Sequence, residues 1–137
     1  MAYWLMKSEP SVYSWDQLVK DGRTHWDGVR NYQASNNLKA MKKGDRAFFY
    51  HSNEGLAVVG IVEIVREYYP DPSDKSGRFG MVDVKPVMPM KTPVTLAAIK
   101  AEPRLADLPL VRQSRLSVSP VDPASWKLIC KMGGVSA

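Results

Sequence analysis

The chain has one cysteine, Cys130, among its 137 residues. No disulfide can therefore close within it, and no multi-thiolate zinc site can form. Histidine is almost as scarce, with only His25 and His51. There is no Gly-x-Ser-x-Gly elbow, no glycine-rich phosphate loop and no His-Glu-x-x-His helix, so the common hydrolase, nucleotide-triphosphate and zinc-protease signatures are missing. Long apolar runs are missing too, which leaves no segment suited to a transmembrane helix. The stretch Met1–Lys7 lacks the basic-then-apolar layout of a secretory signal. With a lone thiol beside it, the expectation is an intracellular, cytoplasmic protein without membrane contact. No repeat and no linker interrupts residues 1–137, which read as a single domain, expected to be monomeric.

Positive charge is present. Nineteen Lys and Arg against fourteen Asp and Glu give a net charge of +5, which favours an acidic partner without specifying one. Seven methionines read as adaptable core filler.

Along the chain, Tyr3–Ser8 reads as a strand stopped by Pro10. Ser14 then caps a short helix that ends at Asp21-Gly22. A second helix is expected from Asn31 to Lys43, because Ala34, Leu38 and Met41 recur on one face. Arg46–Ser52, a turn at Asn53-Glu54-Gly55 and Leu56–Tyr69 read as a hairpin. Gly60 within it marks a bulge or a close backbone approach. Residues 70–77 read as a polar, mobile loop and 79–88 as a further strand. The pattern weakens over 89–109, with a short helix near 94–101 capped by Thr92 or Thr95. Residues 115–121 read as a last strand, with Leu116 and Val118 on one face. Asp122-Pro123 opens a terminal helix that turns Trp126, Ile129 and Cys130 inward. Cys130 is thus expected as a buried structural thiol. Strands in the middle with helices around them give an α+β class with a curled, mostly antiparallel sheet.

Three stretches carry unusual residue choices. Lys7-Ser8-Glu9-Pro10 places a cation, a hydroxyl and a carboxylate where a strand opens into a loop. His25–Tyr32 sets Trp26 and Tyr32 around a glycine, with Arg30 and Asn31 between them. That is an inventory for stacking a base, reading its edge and touching a phosphate. It also reads as two core aromatics and a helix cap at Asn31. In Phe48–Asn53, period two puts Phe49 and His51 on one face and Phe48, Tyr50 and Ser52 on the other.

Taken in order, these stretches resemble the EVE domain family. The resemblance rests on Tyr3–Pro10, Tyr13-Ser14-Trp15, Trp26–Ala34, Met41–Asp45, Phe49–Ser52, Gly60-Ile61 and Leu110–Val118, and covers nearly the whole chain. It implies a PUA-like fold, a barrel-like sheet with flanking helices, akin to the YTH domain. It also implies a non-catalytic module that reads a modified base of DNA or RNA, without metal or other cofactor. Ser8, Trp26, Asn31, Tyr32, Phe49, His51 and Ser52 would line the base pocket, with Ser52 at its rim. Lys7, Arg30 and Arg115 would meet phosphate. Ser35 stands where family members often carry a basic residue. Two rivals remain: a hydrolase of a nucleotide-like or RNA substrate using Lys7, Glu9 and His51, and a pocket for a small anionic metabolite. Convergence of Glu9 and His51 on an open cleft would favour the hydrolase, and an aromatic-walled cleft would favour binding.

Overall fold

The computed structural model describes residues 1–137. Its organising feature is a strand buried on both faces. In Arg46–His51 the run Ala47-Phe48-Phe49-Tyr50 is buried throughout. Alternate residues therefore need separate cores, and the sheet becomes the middle layer between two sets of helices.

The elements follow as β1 (Tyr3–Ser8), α1 (Trp15–Asp21), β2 (Thr24–His25), α2 (Tyr32–Ala40), β3 (Arg46–His51), β4 (Ala57–Pro70), β5 (Gly80–Thr95), α3 (Leu96–Lys100), a 3-10 turn (Pro103–Leu105), α4 (Pro109–Arg112), β6 (Val118–Val121) and α5 (Pro123–Met132). They make one six-stranded sheet ordered β2-β5-β4-β3-β1-β6. Only β1 and β3 are parallel, in register from Tyr3↔Arg46 to Ser8↔His51. A parallel pair requires a crossover, and here residues 9–45 supply it, carrying α1 and α2 across one face and adding β2 to the edge of the sheet beside β5.

That face is one core, where Trp4, Met6, Phe49, Ile64 and Val84 meet Trp15 and Leu18 of α1 and Ala34 and Leu38 of α2. On the other face Leu5, Phe48, Tyr50 and Ile61 pack with Ile99, Leu105, Leu110, Trp126 and Ile129. Trp126 is stacked between Phe48, at 3.9 Å, and Tyr3, at 4.4 Å. Cys130 lies in this second core, and burial pushes its thiol up to about 11.

Ser14, Asn31, Thr95 and Asp122 each cap their helix through the side chain. Gly60 is both a register shift and a close approach, since a Cβ there would lie 2.5 Å from the Trp15 ring. Three boundaries, and the character of one loop, differ from the sequence reading. Helix α2 stops at Ala40, because Met41 turns extended and the Lys42 amide donates to buried Asp45. Strand β5 continues to Thr95, past prolines 86 and 89 that sit at irregular register with β4; those prolines blur the alternation without ending the strand. Strand β6 starts only at Val118, because Gln113–Leu116 is a turn closed by Leu116 N–H donating to Gln113 O at 3.0 Å. The polar segment after β4 is pinned. Buried Asp71 accepts from Gly28 N, Ser73 N, Ser73 Oγ and Arg30, and Asp74 accepts from the amides of Ser76, Arg78 and Phe79.

Candidate functional site

Where the parallel strand β1 ends, the chain turns sharply, and this turn makes one wall of a cavity of about 610 Å³. Glu9 O accepts both Val12 N–H at 2.9 Å and Tyr13 N–H at 2.8 Å. Ser8 Oγ donates to Tyr13 O at 2.6 Å and locks the turn to the strand end. The opposite wall is β2 and the residues that follow it. Strand β2 hangs on β5 through Thr24↔Val84 and His25↔Asp83, and Trp26 N–H donates to Val82 O at 2.7 Å. Gly28, at φ 77°, then swings the chain away, and its amide is held by Asp71 Oδ2 at 2.9 Å.

The cavity lies between these walls, lined by Lys7, Ser8, Glu9, Val12 and Tyr13 on one side and residues 24–28 on the other. It combines an indole, a phenol ring and a valine with two carboxylates (Glu9 and Asp27), an ammonium, a hydroxyl pair and an imidazole. Burial holds the Lys7 ammonium below its usual range and pushes the Tyr13 phenol above its own. Lys7 Nζ donates to Ser114 O at 2.8 Å.

Of the ten residues that the sequence reading assigned to a base pocket and its rim, three line this cavity: Lys7, Ser8 and Trp26. Trp26 is only 8% exposed and stands edge-on to Phe49, with centroids 5.4 Å apart. Phe49 has no exposed surface and braces the indole from behind. His51 shares its face, as alternation requires, at 5.6 Å from Phe49. Its Nε2 accepts the Trp15 amide at 3.1 Å, so it serves the start of α1. Burial lowers its pKa, against a smaller opposing pull from Asp16. Ser52 N–H donates to Ser8 O at 2.9 Å.

The others sit elsewhere. Asn31 Oδ1 caps α2 through the Ala34 amide at 2.9 Å, and Asn31 lines a second depression with Arg115. Tyr32 is 60% exposed and leans on Phe79 at 5.0 Å. Arg30 bonds Asp71 at 3.1 Å and Ser73 at 3.0 Å. Ser35 is buried, its hydroxyl 3.4 Å from that of Tyr68. The cavity residues outside the set assigned from sequence are Glu9, Val12, Tyr13, Thr24, His25, Asp27 and Gly28, of which Glu9 belongs to the strand-end stretch singled out above and to the rival hydrolase reading. Tyr13 and the run 25–28 lay inside stretches already singled out, but a two-residue strand leaves no periodicity to mark Thr24.

Comparisons with known proteins agree with this architecture. The family model for the EVE domain matches residues 2–132. A Rhodopseudomonas palustris protein solved by NMR is 63% identical, with a TM-score of 0.93 over 98% of this chain and 94% of that one. Human thymocyte nuclear protein 1 is 35% identical over 96% of this chain and 73% of its own length. Its crystal structure in complex with 5-methylcytosine-containing DNA superposes with a TM-score of 0.91, at 34% identity and full coverage of both chains. A YTH domain from Zygosaccharomyces rouxii, in complex with N6-methyladenosine RNA, shares the fold alone, with a TM-score of 0.61 at 18% identity over 96% of this chain and 86% of that one. With its six-stranded mixed sheet and flanking helices, the chain belongs to the EVE domain family and has the PUA-like fold.

Proposed function

We propose that the cavity between the β1 turn and β2 holds one modified base of DNA or RNA, and that the protein recognises it without altering it. The observation that carries this reading is Trp26. It is an indole at a cavity wall, braced edge-on by a fully buried phenylalanine, in a chain whose human relative is crystallised with 5-methylcytosine DNA. A rigid aromatic wall is what a flipped or single-stranded base requires, and each such stack contributes about 1–3 kcal/mol. The cavity volume lies within the range of about 300–1,000 Å³ usual for small-molecule sites. Glu9 and Asp27 offer acceptors, and Lys7, Thr24 and His25 offer donors, for a base edge.

Binding is favoured over hydrolysis by the fate of the candidate catalytic groups. Glu9 lines the cavity, but the His51 nitrogen needed as a base already accepts an amide proton. The Cys130 thiol lies in the opposite core. The test is a panel of matched oligonucleotides that differ in one modified base. A preference for one modified strand of at least several-fold, with the oligonucleotide recovered intact, is the expected result. Equal affinity across the panel, or release of a cleaved product, would remove this reading.

A further inference from the structure

Five large apolar side chains of the fold stand in solvent: Met1, Val12, Val19, Tyr32 and Leu56. Val12, at 77% exposed, is the barest of them, and it alone of the five lines the cavity. A single exposed apolar residue is ordinary on a protein surface. This one sits at the mouth of a hollow, on backbone fixed from both sides. Glu9 O accepts the Val12 and Tyr13 amides, and Ser8 Oγ closes on Tyr13 O. Beyond the turn, the Tyr13 hydroxyl donates to Asp21 Oδ2 at 2.8 Å, and Ser14 Oγ accepts the Gln17 amide at 3.1 Å to start α1. Valine adds one stiff, β-branched torsion, so its direction is set at little entropic cost. The turn therefore presents a small, rigid apolar tip beside the cavity.

We infer that Val12 is a wedge for duplex DNA, entering the base stack as the neighbouring base leaves for the cavity and filling the gap that extrusion opens. This rests on the base-binding reading above and adds double-stranded DNA as the substrate class. A base in a duplex is unpaired and unstacked before a cavity can take it, and an apolar side chain inserted at the base step offsets that cost. Between duplexes, B-form DNA has a major groove open to a protein element and A-form RNA does not. Exposure separates this role from contact with a methyl group on the bound base. A side chain that reads a methyl lies within the cavity and gives its surface to the wall, as Trp26 does, whereas Val12 keeps most of its surface outside. The other apolar groups of the lining cannot replace it. Trp26 belongs to the core, and Tyr13 packs against that core.

The test uses a DNA duplex with one central 5-methylcytosine and the same strand unpaired, each with 2-aminopurine as the neighbouring base, whose fluorescence rises on unstacking. Wild-type protein is expected to brighten the duplex on binding. Val12→Ala is expected to melt as wild type does, because the side chain is exposed. It should weaken duplex binding by about tenfold and reduce the brightening, while single-strand affinity stays within about twofold. Val12→Leu keeps an apolar tip and should keep both duplex affinity and signal. Wild-type protein that leaves the duplex unbound, or binds it without brightening, would overturn the assignment. So would a Val12→Ala loss shared equally by duplex and single strand, or one confined to methylated strands. The base reading fails separately, through equal wild-type affinity for methylated and unmethylated single strands.

Discussion

Trp26 serves the fold and the cavity at once, and its substitution cannot report on one alone. At 8% exposed and packed on Phe49, it belongs to the core that also holds Trp15 and Leu38. The sequence left Trp26 open between a pocket wall and a core aromatic. The burial predicts that Trp26→Ala costs about 3–5 kcal/mol in denaturant unfolding, the usual range for emptying a buried aromatic site. A loss below about 1 kcal/mol would mean that the indole is not the packed brace described above. Asn31 presents the converse case. Its amide reads as a base-edge contact or as a cap, and the residue types alone leave both open. The side-chain oxygen is bonded to the Ala34 amide, and the residue lies outside the cavity. Asn31→Ala is therefore expected to lower stability by about 1 kcal/mol and to leave the ratio of affinities for modified and unmodified strands unchanged, which paired melting and binding curves measure.

Among the elements, the close approach of β4 to α1 rests on a missing side chain. Gly60→Ala would place a methyl 2.5 Å from the Trp15 ring, and overpacking of this kind costs about 1–3 kcal/mol. Thermal unfolding that matches wild type would contradict the approach. The glycine was legible in the sequence as a bulge or a close contact, and the structure makes it both. The segment after β4 was not legible. Its Pro, Ser, Asp and Lys content predicts a mobile loop, yet what holds it is a carboxylate 43 residues from its Gly28 partner, a pairing that no local pattern reveals. Burial would raise the pKa of Asp71, but donation from the Ser73 hydroxyl, the Gly28 and Ser73 amides and Arg30 outweighs it, bringing the pKa from 3.8 down to about 2. A carboxylate held ionised more firmly in the folded than in the unfolded chain contributes stability in full above pH 3.8. That contribution is lost as pH falls toward 2. At about 1.4 kcal/mol per unit, Asp71→Asn is expected to cost about 2 kcal/mol at pH 7. The gap to wild type should close between pH 4 and 2, and a gap constant over that window would contradict the account.

At the scale of the whole molecule, function follows from a sheet with two covered faces. The strand β3 and the caps at Ser14, Asn31 and Asp122 were readable because each is a local pattern with a local cause, whereas the burial of β3 on both faces was not. The parallel pairing of β1 with β3 was not readable, nor was the short β2 that the crossover lays on β5, since both are set by which surfaces remain uncovered once the helices pack. The cavity forms at that junction, where β1 gives out and β2 begins. For this reason its lining comes from residues 7–13 and 24–28, and only part of it matched the residues chosen from sequence. The depression that Asn31 shares with Arg115 likewise joins distant parts of the chain by packing alone. The most direct measurement is amide chemical-shift mapping of the protein titrated with single-stranded DNA bearing one 5-methylcytosine. The account predicts that the largest differences between modified and unmodified strands fall on residues 8–13 and 24–28. Modification-dependent shifts centred on the opposite face, around α5 and Met88, with residues 8–13 and 24–28 unmoved, would contradict it.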